Sequence, residues 1–250
     1  MDEIKQKFPT LESAFNEFVK SVGGELIGDL LPSNQSVTSK NADYLSRQQN
    51  VIAELKCLQK NFYETEEDKE RVYKKLETRI RNGPLTEEDV FNEDGALRIF
   101  ETIKADIKRT LEGVFHQAKK QIKQTKDVLQ MPDAKGLLFL ANEGNYFYQF
   151  STKIFTDILD ELFESDPRSI EGYAFFATNK VTEHKQNVII WIANSTSKDP
   201  AYDKFVDELG RKWSEFVSTK TGANIIAFED WDERVIEEKL SSLRIIPPQQ

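Results

Sequence analysis

The sequence predicts one α/β domain, and three observations predict it. "VIAELKCL" (51–58) is an apolar run of strand length, and "KGLLFLANEGN" (135–145) is a nearly all-apolar run closed by a turn, as in a central strand. Between them, Phe100, Ile103, Ile107, Leu111, Val114, Ala118, Ile122, Thr125 and Leu129 alternate steps of three and four, which describes one long helix with a narrow apolar seam, stopped by Pro132. Beyond them, "EGYAFFATN" and "QNVIIWIAN" are two strand-like runs separated by polar "KVTEHK", most simply a hairpin.

The remaining elements follow in chain order. Phe8, Leu11, Phe15, Phe18 and Val22 recur at helical steps with Thr10 as N-cap, so a helix is expected from Leu11 to Val22. Gly23 and Gly24 end it, a short strand follows around Leu26, and the polar loop "PSNQSVTSKN" leads to a strand over 42–46. "RQQ" makes a tight connection to the strand 51–58. "NFYETEEDKERVYKKLETRIR" (61–81) reads as a solvated helix closed by "NGP", and Thr86 with Asp89 resembles a capping box for a short helix. After the strand at 135, "YFYQFSTKIFTDILDELF" is helix-periodic; after the hairpin come a helix through "PAYDKFVDELGRKWSEFVSTKTG", a strand "ANIIAFE" and a polar tail.

Composition limits the function classes. With 38% hydrophobic and 31% charged residues over 250 positions, the chain is globular rather than disordered. It has no apolar run of membrane-spanning length, and "MDEIKQKFPT" lacks the apolar core of a signal peptide, so a cytoplasmic protein is expected. Cys57 is the only cysteine, which excludes an internal disulfide, and with two histidines, His116 and His184, it makes a zinc site improbable. Any metal would need oxygen ligands. The net charge of −9 opposes coating of nucleic acid, yet residues 104–126 hold seven Lys/Arg against Asp106 and Glu112, while "DILDELFESD" (157–166) is acidic. A basic face on an acidic body is compatible with a phosphate-bearing ligand.

The informative stretch is "NADYLSRQQNVIAELKCL" (41–58). Alternate strand residues share a face, so Glu54 and Lys56 point one way while Ala53, Leu55 and Cys57 point the other. A neighbouring strand carrying Asp43 would add a second carboxylate. Two close carboxylates repel, and a hard divalent cation relieves them while keeping positions for water and substrate phosphate. An acidic residue two before a lysine recurs at Glu3-Lys5, Glu67-Lys69, Asp106-Lys108, Asp133-Lys135, Glu183-Lys185 and Glu237-Lys239. Those six lie in predicted helices, loops or the chain end, so context makes the Glu54-Lys56 pair specific. The competing account is a structural ion pair, which stabilises little when exposed and carries a desolvation penalty when buried.

"NAD", a short spacer and "VIAELK" resemble the PD-(D/E)xK nuclease superfamily, the restriction-endonuclease-like fold, over about the first 145 residues. The resemblance implies a core of helix, three strands, helix and strand, with a central mixed sheet flanked by helices. The core then occupies about 8–58 and 97–165, with a helical insertion at about 59–96 and a C-terminal hairpin and helix extension at about 166–250, all within one domain. It implies that Asp43 and Glu54 bind Mg²⁺ or Mn²⁺ and that Lys56 assists the attacking water. Ala42 stands where the pattern has proline, a variable position. The first helix often adds an acidic residue: Glu12, at the border of the apolar stripe, is preferred as a further metal ligand to Glu17, on the polar face. The helix after the charged strand can add basic or amide groups, which points to Gln117, Lys120 and Gln121 as nucleic-acid contacts. The alternative for these is the exposed face of an amphipathic helix.

The expected function is therefore a Mg²⁺-dependent nuclease hydrolysing phosphodiester bonds, with DNA the favoured substrate. The runner-up is a non-catalytic interaction subunit retaining this fold, dimerising or binding a partner through the long helix. His116, His184, Met131 and the tryptophans are assigned no role beyond packing or surface.

Overall fold

A computed structural model describes residues 10–31, 41–58, 70, 74, 77, 78, 81, 93–142, 152–165, 170–181 and 187–221. The predicted loop at 32–40, most of the helix at 61–81, the Thr86 capping box, the "EGN" turn after Asn142, His184, and the strand and tail beyond 221 lie outside these. So does nearly all of the expected insertion, of which the five isolated residues 70 to 81 are helical.

The described chain builds a six-stranded mixed sheet, in the order β1-β2-β3-β4-β5-β6, with helices on both faces. Helix α1 (Leu11–Ser21) starts where predicted: the Thr10 hydroxyl accepts from Ser13 N (3.1 Å) and Ser13 Oγ accepts from Thr10 N (3.3 Å), a reciprocal cap. Gly23, at φ +84°, turns the chain out of the helix, a conformation that a side chain would resist. Strand β1 (Glu25–Leu26) and the single turn α2 (Ile27–Leu30) follow. Strands β2 (Tyr44–Ser46) and β3 (Val51–Leu58) are antiparallel, pairing Tyr44 with Ala53 and Ser46 with Val51.

Helix α3 (Glu93–Val128) begins earlier than the apolar seam requires. It ends in a Schellman arrangement in which Met131 N donates to Lys126 O (2.8 Å) and Gln130 N to Asp127 O (3.2 Å), with Gln130 at φ +54° in the place glycine usually takes. Strand β4 (Lys135–Asn142) pairs in parallel with β3 over its whole length, from Val51↔Lys135 to Leu58↔Asn142. Helix α4 (Thr152–Ser165) crosses to β5 (Gly172–Val181), again parallel, and β6 (Asn187–Ser195) returns antiparallel. Helix α5 (Pro200–Thr221) has Pro at its first position and Asp199 as cap, its Oδ1 accepting from Ala201 N (3.0 Å).

The expected hairpin is present, and it joins the sheet. β5 bonds β4 from Leu137 to Asn142, so among the described residues the expected C-terminal extension continues the sheet. Two right-handed crossovers that step the same way across a sheet place both helices on one face. Accordingly α3 and α4 cover one face, where Ile107, Leu111, Ala118, Ile122, Ile158 and Leu159 pack on Ile52, Leu138 and Leu140. Helices α1 and α5 cover the other, where Phe15, Phe18 and Trp213 pack on Ala53, Phe139 and Phe176. The described part of the α3 seam is thus occupied by the chain's own core. Among the described residues no helix is long and apolar enough to cross a membrane.

Candidate metal centre

Strand β3 serves both faces. Val51, Ala53 and Leu55 enter the α1/α5 core, while Ile52 and Leu58 enter the α3/α4 core; Glu54 and Lys56 have the parity of the latter pair. Glu54 is 1% exposed, the only charged side chain among the buried described residues. Its side chain is almost fully covered, whereas that of Lys56 is 21% exposed, so the lysine side chain reaches water and the glutamate side chain does not. Lys56 Nζ lies 2.6 Å from Glu54 Oε1. The adjacency follows from the pleat, as two residues two apart on a strand share one side.

Asp43 arrives from the neighbouring strand. Because Tyr44 pairs with Ala53, the preceding Asp43 reaches the level of Glu54. The ladder breaks its pattern here: Asp43 N donates to Ala53 O (3.1 Å), but Leu55 N donates to the Asp43 carboxylate Oδ2 (2.8 Å). That exchange shortens β2, which starts at Tyr44 rather than at residue 42, and it anchors the Asp43 carboxylate on β3.

The electrostatics are those of two crowded acids with one cation. Burial raises Asp43 above the ordinary carboxylate range, against the pull of the Leu55 hydrogen bond and Lys56. Glu54 is pushed up to about 8, first by burial and then by the negative Asp43, with Lys56 pulling the other way. Lys56 occupies only Oε1. Glu54 Oε2 is buried and has no hydrogen-bond partner, because the facing carboxylate offers only lone pairs unless a proton sits between them. A buried oxygen of this kind calls for a proton or a cation. Further along the same sheet face, at the Leu58↔Asn142 pair, Asn142 is 3% exposed and its Oδ1 likewise lacks a partner.

The other candidates are placed as follows. Glu12 is exposed on the first turn of α1; its charge is felt by Asp43 and by Tyr44, yet among the described residues no three His, Cys, Asp or Glu side chains gather as a ready metal cage. Glu17 pairs with Lys220 of α5. Gln121 is half-buried and meets the site directly: its Oε1 accepts from Lys56 Nζ (2.7 Å) and its Nε2 donates to Asn41 O (3.0 Å). Gln117 and Lys120 are exposed on the same helix, as is His116. The basic segment is partly neutralised, since Lys104 and Lys108 pair with Glu161 (3.0 and 2.9 Å) and Lys126 lies 3.7 Å from Glu171.

One participant escaped the sequence reading. Thr125, fully buried, accepts from the backbone N of Ala42 (2.8 Å), one residue before Asp43. The available signal was a hydroxyl standing at an apolar position of the helical seam. Comparison of the chain with protein-family models, with curated proteins and with solved structures gave no match.

Proposed function

We propose that the protein is a divalent-metal-dependent nuclease of restriction-endonuclease-like fold, with Asp43 and Glu54 as metal ligands and Lys56 as the residue that orients the attacking water. The observation that carries this reading is the buried Glu54 carboxylate beside that of Asp43, with Lys56 on its Oε1 and no hydrogen-bond partner on its Oε2. The donor set is hard oxygen, which suits Mg²⁺ or Mn²⁺; Mg²⁺ is commonly held by one or two carboxylates and keeps waters and substrate phosphate in its other positions. The described order of helix, three strands, long helix and parallel strand also supports the reading, since it is the order the resemblance implies.

When bound, the ion supplies Lewis acidity toward a phosphodiester oxygen and a water of lowered pKa. Asp43 and Glu54 hold that position. Lys56, held between Glu54 and Gln121 with its side chain partly exposed, would orient the attacking water along the line of attack. The favoured substrate is DNA, and the exposed basic residues of α3, such as Lys120 and Lys123, would take backbone phosphates in a salt-sensitive way.

Incubation with plasmid, linear and single-stranded DNA and with RNA, in Mg²⁺ or Mn²⁺, tests the proposal against Asp43→Ala and Lys56→Ala. Each substitution is expected to lower the cleavage rate by about 10²-fold or more. Equal rates in all three proteins would overturn it.

A further inference from the structure

We propose that Gln121 and Thr125, one turn apart on α3, form a clasp that positions Asp43 and Lys56 against Glu54; this rests on the metal-site reading above. Three bonds build it. Thr125 Oγ1 accepts from Ala42 N (2.8 Å), Gln121 Nε2 donates to Asn41 O (3.0 Å), and Gln121 Oε1 accepts from Lys56 Nζ (2.7 Å).

The first two bonds hold consecutive residues immediately before Asp43, a stretch that lies ahead of the first regular residue of β2. Side chains of α3 supply the partners that a continued ladder would have supplied to Ala42 N and Asn41 O, both of which need partners once buried or half-buried. The third bond reaches across to β3. The Gln121 amide has one orientation that satisfies both ends: its NH₂ faces a carbonyl and its oxygen an ammonium, whereas the flipped amide would oppose donor to donor. The backbone before Asp43 and the head group of Lys56 are therefore tied to a single planar group.

The clasp stands on a fixed base. Ala118, three residues before Gln121, and Ile122, next to it, are fully buried in the α3/α4 core, and Thr125 is itself 0% exposed. Groups carried on a packed helix hold a constellation more tightly than groups on a loop. Gln121 and Thr125 are positioning residues: neither needs to touch the metal or the substrate. Partners of metal ligands typically influence metal affinity by about 10- to 100-fold when removed.

Calorimetric titration of the full chain with Mn²⁺ tests the clasp without needing a substrate. Thr125→Val keeps the shape and removes the acceptor, Thr125→Ser keeps the acceptor, and Gln121→Met keeps the length and removes both amide bonds. Thermal unfolding checks that each variant is folded. Thr125→Val and Gln121→Met are expected to weaken Mn²⁺ binding about tenfold or more, and Thr125→Ser to stay within about threefold of wild type. If Asp43→Ala loses binding while Thr125→Val and Gln121→Met bind as wild type does, the clasp is overturned and the metal site stands. Equal weakening by Thr125→Val and Thr125→Ser would also overturn it, because packing rather than the hydrogen bond would be responsible. A wild-type protein that binds no Mn²⁺ sinks the metal site, and the clasp with it. Should Thr125→Val fail to fold, Gln121→Met decides the outcome.

Discussion

The two faces of the sheet solve the same packing problem with different chemistry. On the α1/α5 face Phe15 lies at the centre of an aromatic cluster, its ring 4.9 Å from those of Phe139 and Phe176, 5.2 Å from Trp213 and 5.5 Å from Tyr44. Helix α5 comes close enough there that a Cβ on Gly210 would lie 2.5 Å from the Trp191 ring. The α3/α4 face is aliphatic at both ends of β3, at Ile52 and Leu58, and between them it holds Glu54 and Lys56, bordered by Asp43, Gln121 and Thr125. A strand with one fully apolar side can carry two charges on the other, because its stability does not depend on them. Buried ion pairs are weak contributors to stability, so folding alone does not account for their placement here.

Phe15→Ala opens a cavity among these four rings and that of Phe18, and is expected to destabilise the protein by about 3–5 kcal/mol, read as a lower urea midpoint, while leaving Mn²⁺ affinity unchanged. Loss of metal affinity without loss of stability would show that the two faces are not independent.

The next effect belongs to the charged face and depends on pH. An unperturbed glutamate here would ionise near 4.5, and Glu54 in the folded protein does so at about 8. Between these values the unfolded chain has released the proton and the folded chain retains it. Stability of the metal-free protein is therefore greatest below pH 4.5 as far as this group is concerned, and falls as pH rises to 8, by an amount on the order of a few kcal/mol. The raised Asp43 acts in the same direction. Chemical unfolding across this range should show the decline, Mg²⁺ should oppose it, and Glu54→Gln should flatten it. A profile that Glu54→Gln leaves unaltered would assign the decline to other groups.

The smallest expected effect lies at the surface. Glu161 is largely solvated and pairs with Lys104 and Lys108, so Glu161→Ala should alter stability by less than about 1 kcal/mol. It should tighten binding of a DNA duplex about two- to fivefold at low salt, a gain that fades as salt is raised. An unchanged affinity would count against phosphate binding at this end of α3.

What could be read from the sequence was what has a short period or a short range. The cap at Thr10, the limits of the strand 51–58, the seam of α3 and the shared face of Glu54 and Lys56 all depend on residues within a few positions of one another. Local geometry sets them, whatever the rest of the chain does. The membership of β5 in the main sheet, the neutralisation of Lys104 and Lys108 by an acidic helix, and the bonds from Thr125 to Ala42 and from Gln121 to Asn41 and Lys56 join residues tens of positions apart. Gln121 stood in the sequence as one of three candidate nucleic-acid contacts, with nothing to separate it from Gln117 and Lys120, and Thr125 as a minor flaw in an apolar seam. Side-chain type states only which bonds a group is able to make; the packing of α3 across the sheet decided which of them it makes, and so tied the segment before Asp43 to a charged strand.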